Sequence, residues 1–554
     1  MKSKITLTLL FLLACRLSAA TWYVATTGND ANPGTLTDPL LTLDEAILQA
    51  NPGDVIELRG GNYISNEVRV TKSNLTIRSY PGEWAVLTAV TNVENTASCI
   101  WYNEPDVNGG TLENLEIIGG YYYGVSFETN WDWGGAPQDR HGVSNITIRN
   151  CKIHDTGRDC IKIKPGCDGI QILGCELYNS GVGPGNALDP NAEGIDNVNG
   201  DGMVVRNCHI HHTSTSGVYA KGGADGCIID ENLIRETGEA GILLGFYTDA
   251  EYFDEVANPG MFECRNSIAR NNIIVNTGGA GIGFFAAQNC RAEHNTVVTA
   301  SPSFHSPLFI SKGDIWVSNS LTLTPSNENI TVINNIFVDE SGTGQDDYTV
   351  QVREGALTGT NTINHNIFQK TTGTATFDDG IAWPAMTFAQ WQSTMGLDAQ
   401  SQEVDPDLDT EYHLNAGSPA VDAAMASSTT YDYDFNLRAG TADIGADEFG
   451  AGTNLSTPPQ TGVIGTGSPN TLQSATPAQG MLEIQVWPNP SSEIIHVQAD
   501  RERINALSVV DLAGRIVLQS KVAEFSVAEV PAGIYCLQVH TTKGQQTIRI
   551  QIVH

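Results

Sequence analysis

Short apolar phrases return along the middle of the chain at spacings of 23, 24 and 40 residues. Self-similarity with a period in the twenties is typical of a solenoid, whose units bury their apolar faces by stacking on one another. Each unit holds short phrases that alternate apolar and polar residues, separated by Gly, Asn and Asp, which predicts strands joined by tight turns. Three strands and about 24 residues per turn predict an all-β fold, a right-handed parallel β-helix. The repeated phrases are EGIDNV at 193–198, SGVYAK at 216–221, AGILLG at 240–245 and AGIGFF at 280–285.

One position of the repeat changes from cysteine to asparagine partway along the chain. Buried amides at a corner can hydrogen-bond to their neighbours and to the turning backbone, so we predict an internal ladder. The small thiols of the same column pack well in a core. We therefore expect few or no disulfides there, although the chain has 11 cysteines and is predicted to be exported. The column is Cys151, Cys175, Cys208, Asn232, Asn272, Asn295, Asn335 and Asn366.

The termini indicate export and a division into domains. Residues 1–20 have a basic start, an apolar run and small residues before Thr21, which predicts a signal peptide. An alternative is a lipoprotein cleavage site that would place a lipid on Cys15. We predict the solenoid at 21–451, opened by a short capping helix at 44–50, and a linker rich in Thr, Ser, Pro and Gly at 452–480. Residues 481–554 alternate strand and turn and predict a small C-terminal β-sandwich. No later stretch reaches the roughly 20 apolar residues of a membrane helix.

The charge of the chain restricts its partners. Against 29 basic side chains stand 63 acidic ones, giving a formal net charge of −34. Such a surface repels nucleic acid and anionic lipid. It is compatible with divalent cations, while an anionic substrate would require a bound cation or a local basic patch.

Alternation along the strands places a set of polar side chains on one outer face. Lys162, Asp196 and Tyr219 occupy one outward column, and Lys221 lies one strand over from Asp196 and two residues along. The spacing stretches at 181–192 and 246–261, and we expect these two insertions to wall a groove over the face. Lys164, Glu128 and Arg158 would flank the groove, and Tyr247 and Tyr252 of the second insertion would suit sugar rings.

Two parts of the chain resemble known families. Residues 21–90 and the closing phrases SPAVDAA and ADIGADEFGA resemble extracellular pectin-lyase-like β-helix proteins. PNP at 488–490, DLAGR at 511–515 and AGIYCLQV at 532–539 resemble the C-terminal sorting domain of type IX secretion. The first resemblance implies an extracellular polysaccharide as partner. The second implies transport by the type IX machinery to the medium or the cell surface.

The residues of the groove suit β-elimination from a uronic acid, which needs a cation to acidify the C–H bond and a base to remove the proton. We predict that Glu193, Asp196, Asn199 and Asp201 bind Ca²⁺, which prefers several oxygen ligands. Lys221 is the first candidate for the base and Lys162 the second, since neighbouring positive charge can lower the pKa of a lysine. Tyr219 and Asp196 complete the predicted catalytic set, which loosely resembles that of β-helix pectate lyases.

Other interpretations remain open. Asp159, Glu193 and Asp196 could serve an inverting glycoside hydrolase, and the solenoid could also bind carbohydrate without turnover. The Asp and Asn residues could be corner residues alone, and the lysines could be solvated ion-pair partners. We interpret His209, His211 and His212 as corner or surface residues, because only alternate members of a strand share a face and a metal site would need more ligands. We expect a monomer.

Overall fold

The fold is described from a computed structural model of the chain. The described residues are 19–132, 140–186, 190–299, 304–317, 320–340, 348–381, 384–438 and 440–450, with 484–487, 494–499, 504–510, 516–528, 530–531, 533–541 and 545–552. They form two compact units, one up to residue 450 and one from residue 484 onward. Almost all of the predicted signal peptide (1–20) and the whole predicted linker (452–480) lie outside the described residues.

The first unit is a parallel β-helix whose coils each contribute one strand to three long sheets. Sheet 1 comprises Val68–Val70, Ser98–Tyr102, Tyr123–Phe127, Ile161–Ile163, Ile195–Val198, Val218–Lys221, Ile242–Leu244, Ile282–Phe285, Leu308–Ser311, Val350–Val352 and Phe377–Asp378. Sheet 2 comprises Thr21–Val24, Val55–Leu58, Leu75–Ser79, Asn108–Glu113, Ser144–Arg149, Gln171–Leu173, Val204–Arg206, Ile228–Asp230, Ile268–Arg270, Arg291–Glu293, Thr331–Ile333 and Thr362–Asn364. Sheet 3 comprises Gly61–Ile64, Ala85–Thr88, Leu115–Ile118, Lys152–His154, Glu176–Tyr178, His209–His211, Leu233–Arg235, Ile273–Val275, Thr296–Thr299, Ile336–Asp339, Ile367–Lys370 and Gln402–Glu403.

Shorter elements decorate this unit. A five-stranded parallel sheet is formed by Ala224–Asp225, Cys264–Arg265, Ala287–Gln288, Asn327–Glu328 and Leu357–Thr358. A three-stranded sheet is formed by Thr248–Asp249, Ile315–Val317 and Ser320–Leu323. The helices are Leu43–Gln49 and Phe388–Met395, with single 3₁₀ turns at Pro184–Asn186 and Ala250–Tyr252. Neither α-helix is long and apolar enough, among the described residues, to cross a membrane.

The predicted stacking of the core is confirmed. The inward column of sheet 1 is fully buried, since each aliphatic side chain packs on its equivalents in the coils above and below. The chain reverses direction at corners where asparagines such as Asn150, Asn207 and Asn271 adopt positive φ angles of 51–52°. Asparagine tolerates this left-handed conformation better than most residues. The buried column is Val125, Ile161, Ile195, Val218, Ile242 and Ile282.

The predicted ladder is also present. The side-chain amide of Asn232 donates to Oδ1 of Asn272 at 2.9 Å, and that of Asn272 to Asn295 at 2.9 Å. The series continues through Asn335 to Asn366 at 2.8 and 3.1 Å. In the thiol part, the backbone N–H of Cys175 donates to Sγ of Cys208 at 3.4 Å. The nine cysteines at positions 99–290 are all buried free thiols.

Both ends of the solenoid are covered. The helix Leu43–Gln49 buries Leu43, Ala46 and Ile47 against the first coils, and its N-cap Thr42 accepts a hydrogen bond from the N–H of Glu45 at 3.2 Å. This helix confirms the predicted cap. At the other end, the side-chain amide of Asn366 donates to the carboxyl group of Asp398 at 3.3 Å. Asp398 follows the second helix, and this hydrogen bond is the last of the ladder.

The segment after the solenoid packs along its side. Residues 408–438 and 440–446 lie on the outer face of sheet 3, where Leu414, Ala420 and Ile444 share an apolar cluster with Ile336 and Ile367. Side-chain hydrogen bonds from the corners reinforce the contact, as between Asn334 and the carbonyl oxygen of Met425 at 2.9 Å. The closing phrases of the sequence therefore cover a face of the solenoid.

The second unit consists of two antiparallel sheets that share one apolar core, which confirms the predicted small sandwich. Ile495 and Phe525 of the first sheet and Leu507 and Leu537 of the second belong to one buried cluster. The first sheet is Ile484–Trp487, Ile494–Ala499 and Glu524–Ser526; the second is Ile516–Ser520, Ile504–Val510, Gly533–Thr541 and Gln545–Ile552.

Replacing one rung of the ladder tests its contribution. Asn295→Ala removes the oxygen that accepts from both the backbone and side-chain N–H groups of Asn272. Because unsatisfied buried donors are costly, we expect the free energy of unfolding to fall by on the order of 3 kcal/mol. Urea denaturation followed by circular dichroism measures the change. The matched control is the exposed Asn92→Ala, and equal stability of the two variants would contradict the role of the ladder.

Candidate active site

The strand register brings the predicted polar residues together on sheet 1. Lys162 is paired with Asp196, Asp196 with Tyr219, and Val198 with Lys221 in successive strands. The nitrogen of Lys162 forms an ion pair with Oδ2 of Asp196, and that of Lys221 lies 3.9 Å from Oδ1 of the same carboxylate. The predicted register is therefore confirmed at this face.

These residues open into a cavity of about 610 Å³ on the outer side of sheet 1. Its floor comes from sheet 1 and the turns that follow its strands. Its rim comes from the two insertions that the sequence identified. The predicted residues that line it are Lys162, Lys164, Lys221, Asp196, Glu128, Tyr247 and Tyr252; those not predicted are Tyr123, Thr129, Pro165, Asn191, Val198, Thr248 and Asp249.

The three lysines of the cavity have different partners. Lys162 is hydrogen-bonded to Asp196, and Lys164 donates to Glu128 at 2.8 Å. The side-chain nitrogen of Lys221 makes no hydrogen bond to any described residue. Its nitrogen instead lies over the rings of Tyr219 and Phe246, 4.6 and 5.8 Å from their centres. Lys221 is thus the lysine whose nitrogen is available to a ligand.

The charges around Asp196 determine which lysine can act as a base. Burial alone would raise the pKa of Asp196, but Lys162 and Lys221 outweigh burial and hold it below its ordinary value. Burial likewise tends to lower the pKa of Lys162, but the carboxylate of Asp196 dominates and raises it. Lys162 therefore remains a cation. The expectation of a lowered pKa is wrong for this residue, because its nearest charge is a carboxylate.

Behind Asp196 lies a buried pair of carboxyl groups. Oxygen atoms of Asp159, Glu193 and Asp196 all lie within 4.8 Å of one another, and all three residues are buried. Burial raises the pKa of Asp159 well above its ordinary value, and the carboxylates of Glu193 and Asp196 raise it further. Glu193 also accepts a hydrogen bond from Thr215 at 2.7 Å. Oδ1 of Asp196 is buried and has no hydrogen-bond partner among the described residues.

Two members of the predicted calcium set do not join this cluster. Asn199 occupies a corner with a φ of 55°, and its amide donates to the carbonyl oxygen of Tyr252 at 2.6 Å. Asp201 is exposed at the next corner, where it accepts from the N–H of Asp225 at 2.9 Å. The chain turns away from the cavity at these positions. Asp159, which comes from the preceding coil, takes their place beside Glu193 and Asp196.

Tyr219 is less accessible than its outward position suggested. Only 3% of the residue is exposed, because the insertion at 246–261 folds back over it. The ring of Phe246 stacks on Tyr219 with 5.2 Å between the ring centres. Tyr219 thus supports Lys221 from below and does not line the cavity. Strand alternation predicted the position of Tyr219 in this column, but it could not predict that Phe246 covers the ring.

Both insertions reach the site, as predicted. Asn191 of the first insertion lines the cavity, and its backbone carbonyl accepts from Nε of Arg158 at 2.9 Å. Arg158 therefore holds the rim and does not itself line the cavity. Two further residues that contact the second insertion were not predicted. The indole of Trp131 donates to the carbonyl oxygen of Glu251 at 2.8 Å, and Arg140 forms an ion pair with Asp254 at 3.1 Å.

A buried acid beside Lys221 also escaped the sequence analysis. Glu263 is fully buried and accepts hydrogen bonds from the N–H of Gly222 at 2.8 Å and the hydroxyl of Thr248 at 2.7 Å. Burial raises its pKa to about 7, although Lys221 acts in the opposite direction. Glu263 directly precedes the short strand Cys264–Arg265 and lies outside the repeated phrases, so no periodic signal identified it.

Comparisons with known proteins agree with this architecture. Residues 22–240 match the family described as "Pel9A-like, right handed beta helix region", and residues 485–553 match the "Secretion system C-terminal sorting domain". No curated protein sequence matches the chain.

Solved structures with low identity also resemble the chain. Pectate lyase Pel9A has a TM-score of 0.43 and 16% identity, covering 78% of this chain and 97% of its own. A rhamnogalacturonan lyase has a TM-score of 0.43 and 15% identity, covering 62% and 87%. The A-module of the Azotobacter vinelandii mannuronan C-5 epimerase AlgE4 has a TM-score of 0.38 and 14% identity, covering 57% and 85%.

The strand pairing and the first family match define the fold as a right-handed parallel β-helix, in which residues 22–240 are similar to the Pel9A-like region. The second match gives it a C-terminal sorting domain, so the protein is exported by the type IX route, to the medium or to the cell surface.

The raised pKa of Glu263 predicts a pH dependence of stability. Its pKa in the folded state, about 7, lies above the ordinary value of 4.5. The folded state therefore binds this proton more tightly, and the free energy of unfolding should fall as the pH rises from 4.5 to 7. Glu263→Gln keeps an acceptor for Gly222 and Thr248 without the titration. We expect its stability relative to wild type to grow by on the order of 3 kcal/mol across this window.

Urea denaturation at several pH values measures this difference, with the exposed Glu411→Gln as the matched control. Parallel stability curves for wild type and Glu263→Gln would contradict the prediction.

Proposed function

We propose that the protein is a secreted polysaccharide lyase that cleaves a uronate-containing polysaccharide by β-elimination. The observation that carries the proposal is the convergence of Lys162, Lys164 and Lys221 in one cavity of a chain with a net charge of −34. The three lysines balance the carboxylates of Glu128, Asp196 and Asp249 in the lining, so the cavity lacks the excess negative charge of the rest of the chain and can admit an anionic ligand. A cavity of about 610 Å³ accommodates a few sugar residues.

The lysines take different roles in this proposal. Lys162 and Lys164 are positioned by ion pairs with Asp196 and Glu128, and they bind the uronate carboxylates of the polymer. Lys221, whose side-chain nitrogen makes no hydrogen bond to any described residue, removes the proton from the carbon next to the carboxylate. The aromatic rings of Tyr219 and Phe246 beneath it exclude water on one side. Tyr247 and Tyr252 at the rim offer ring faces to the sugars.

A calcium ion fits the carboxylate cluster better than it fits the set predicted from sequence. Asp159, Glu193 and Asp196 each supply one oxygen within 4.8 Å of the others, and Oδ1 of Asp196 makes no hydrogen bond to a described residue, so it could bind a cation. Oxygen-rich clusters of this kind suit Ca²⁺. When bound, the ion would neutralise the substrate's carboxylate and so acidify the neighbouring C–H bond.

The same cluster argues against the inverting hydrolase. An inverting pair of carboxyl groups is separated by about 6.5–9.5 Å to leave room for a water molecule. The oxygens of Asp159, Glu193 and Asp196 lie within 4.8 Å of one another, and Asp159 and Glu193 are buried behind Asp196. Carbohydrate binding without turnover remains the second candidate, because the cavity and its aromatic rim would serve either function.

Substitution of Lys221 tests the role of the base. We expect Lys221→Ala and Lys221→Arg each to lower kcat by about 10²- to 10⁴-fold, since arginine keeps the charge but does not deprotonate. Lys221→Arg should retain binding of the polymer, which separates proton removal from attraction of the carboxylate.

The assay measures both near-ultraviolet absorbance of the unsaturated product and reducing ends, on pectate, alginate and glycosaminoglycans. The exposed Lys521→Ala is the matched control. Reducing ends released without absorbance would indicate hydrolysis, and binding without either product would indicate the non-catalytic function.

Calcium binding is tested separately from turnover. We expect Ca²⁺ to raise the Tm of the wild-type protein, because a ligand that binds only the folded state stabilises it. Asp159→Asn, which replaces one carboxyl group of the cluster with an amide that cannot ionise, should abolish most of that increase. The control is Asp155→Asn, an acid of the neighbouring corner outside the cluster. An unchanged response of Asp159→Asn would exclude this cluster as the calcium site.

A further inference from the structure

A second cluster of ligating side chains lies on the outer face of sheet 3, away from the cavity on sheet 1. It involves two adjacent strands, Glu176–Tyr178 and His209–His211, in which Glu176 is paired with His209. Ile210 points into the core, so His209 and His211 share the outer face with Glu176. All three residues have a ligating atom within 4.8 Å of the others.

The distances in this cluster match those between ligands of a tetrahedral metal ion. Nε2 of His211 lies 3.3 Å from Oε1 of Glu176, and Nδ1 of His209 lies 3.8 Å from the same oxygen. A Zn²⁺ ion with bonds of about 2.0–2.1 Å places neighbouring tetrahedral ligands about 3.3 Å apart. The three ligating atoms all lie within 4.8 Å of one another, so a modest movement of the side chains brings them to an ion.

The imidazole of His209 provides an independent indication. It is completely buried, yet neither ring nitrogen has a hydrogen-bond partner among the described residues. A buried polar group without a partner costs free energy. The ring of His209 stacks on that of His211 with 4.1 Å between the ring centres. Its Nδ1 is directed into the cluster, towards Oε1 of Glu176.

The neighbours orient the ligands as the outer shell of a metal site does. Nδ1 of His211 and Nδ1 of His212 are 2.7 Å apart, and Nε2 of His212 is 2.6 Å from Glu236. With neutral rings, His212 donates to the Glu236 carboxylate and so accepts from His211. The unprotonated Nε2 of His211 then faces an oxygen of Glu176, so two hydrogen-bond acceptors face each other. A cation bound between them would remove this repulsion.

The other oxygen of Glu176 is held by a different residue. Nζ of Lys152 lies 3.3 Å from Oε2 of Glu176, which leaves Oε1 to face both histidines. The carboxylate is thus oriented to contribute one oxygen. Access is from the side of His211, whose side chain is 12% exposed, and of the more exposed His212.

We propose that Glu176, His209 and His211 bind a Zn²⁺ ion. Two imidazole nitrogens and one carboxylate oxygen favour zinc or a neighbouring transition metal over Ca²⁺, which prefers oxygen ligands alone. The three protein ligands leave a fourth position for water or for an exogenous group. The interpretation of these histidines as corner or surface residues is wrong for the buried His209, whereas His211 is partly exposed on its strand and His212 has a φ of 51° at a corner.

The test uses the full chain after dialysis against a chelator, titrated with ZnCl₂ by isothermal titration calorimetry. We expect His209→Ala and His211→Ala each to lose one zinc equivalent. His212→Ala should retain the site with an affinity lower by about 10- to 100-fold, because it removes only an orienting partner. Titration with Co²⁺ should give the visible spectrum of a tetrahedral site in the wild type and not in His209→Ala.

His413→Ala is the matched control, because His413, Asp434 and Asp447 form the other cluster with a histidine among the described residues. It should retain the zinc equivalent that His209→Ala loses. The proposal is overturned if the wild type binds no zinc at about ten micromolar, or if His211→Ala binds it as the wild type does. Because His211 is partly exposed, its variant gives the answer even if His209→Ala fails to fold.

Discussion

The alignment of equivalent residues in consecutive coils is the constraint on which the rest of the structure depends. A shift of one residue in any coil would turn its core side chains outward, since strand side chains alternate between faces. The aliphatic column of sheet 1 and the asparagine ladder both oppose such a shift, because each has a partner only in the aligned register. The same alignment places Lys162 beside Asp196 and His209 beside Glu176.

The repeat explains why so much of the fold could be predicted from the sequence. The column of core residues, the ladder and the register of Lys162, Asp196 and Tyr219 all follow from one period and from strand alternation. The insertions broke that period, and their course could not be derived from it. The stacking of Phe246 on Tyr219 was therefore not predicted. The hydrogen bond from Trp131 to the second insertion was not predicted either.

The sequence also did not predict the electrostatic environment of the lysines. Proximity of positive charges suggested that Lys162 could lose its proton, but its direct contact with Asp196 has the opposite effect. The calcium set was chosen from residues close in sequence, whereas coils bring together residues that are about 34 positions apart, as for Asp159 and Glu193. In a solenoid, sites are assembled across coils, and neighbours in sequence are often separated by a corner.

The uniform ladder also bears on how such a protein can change in length. Every interior asparagine presents the same donor to one neighbour and the same acceptor to the other. A duplicated coil inserted among them would find complementary groups on both sides. The chain can therefore gain or lose whole coils in the asparagine part of the ladder during evolution. The coils that form the cavity would keep their arrangement.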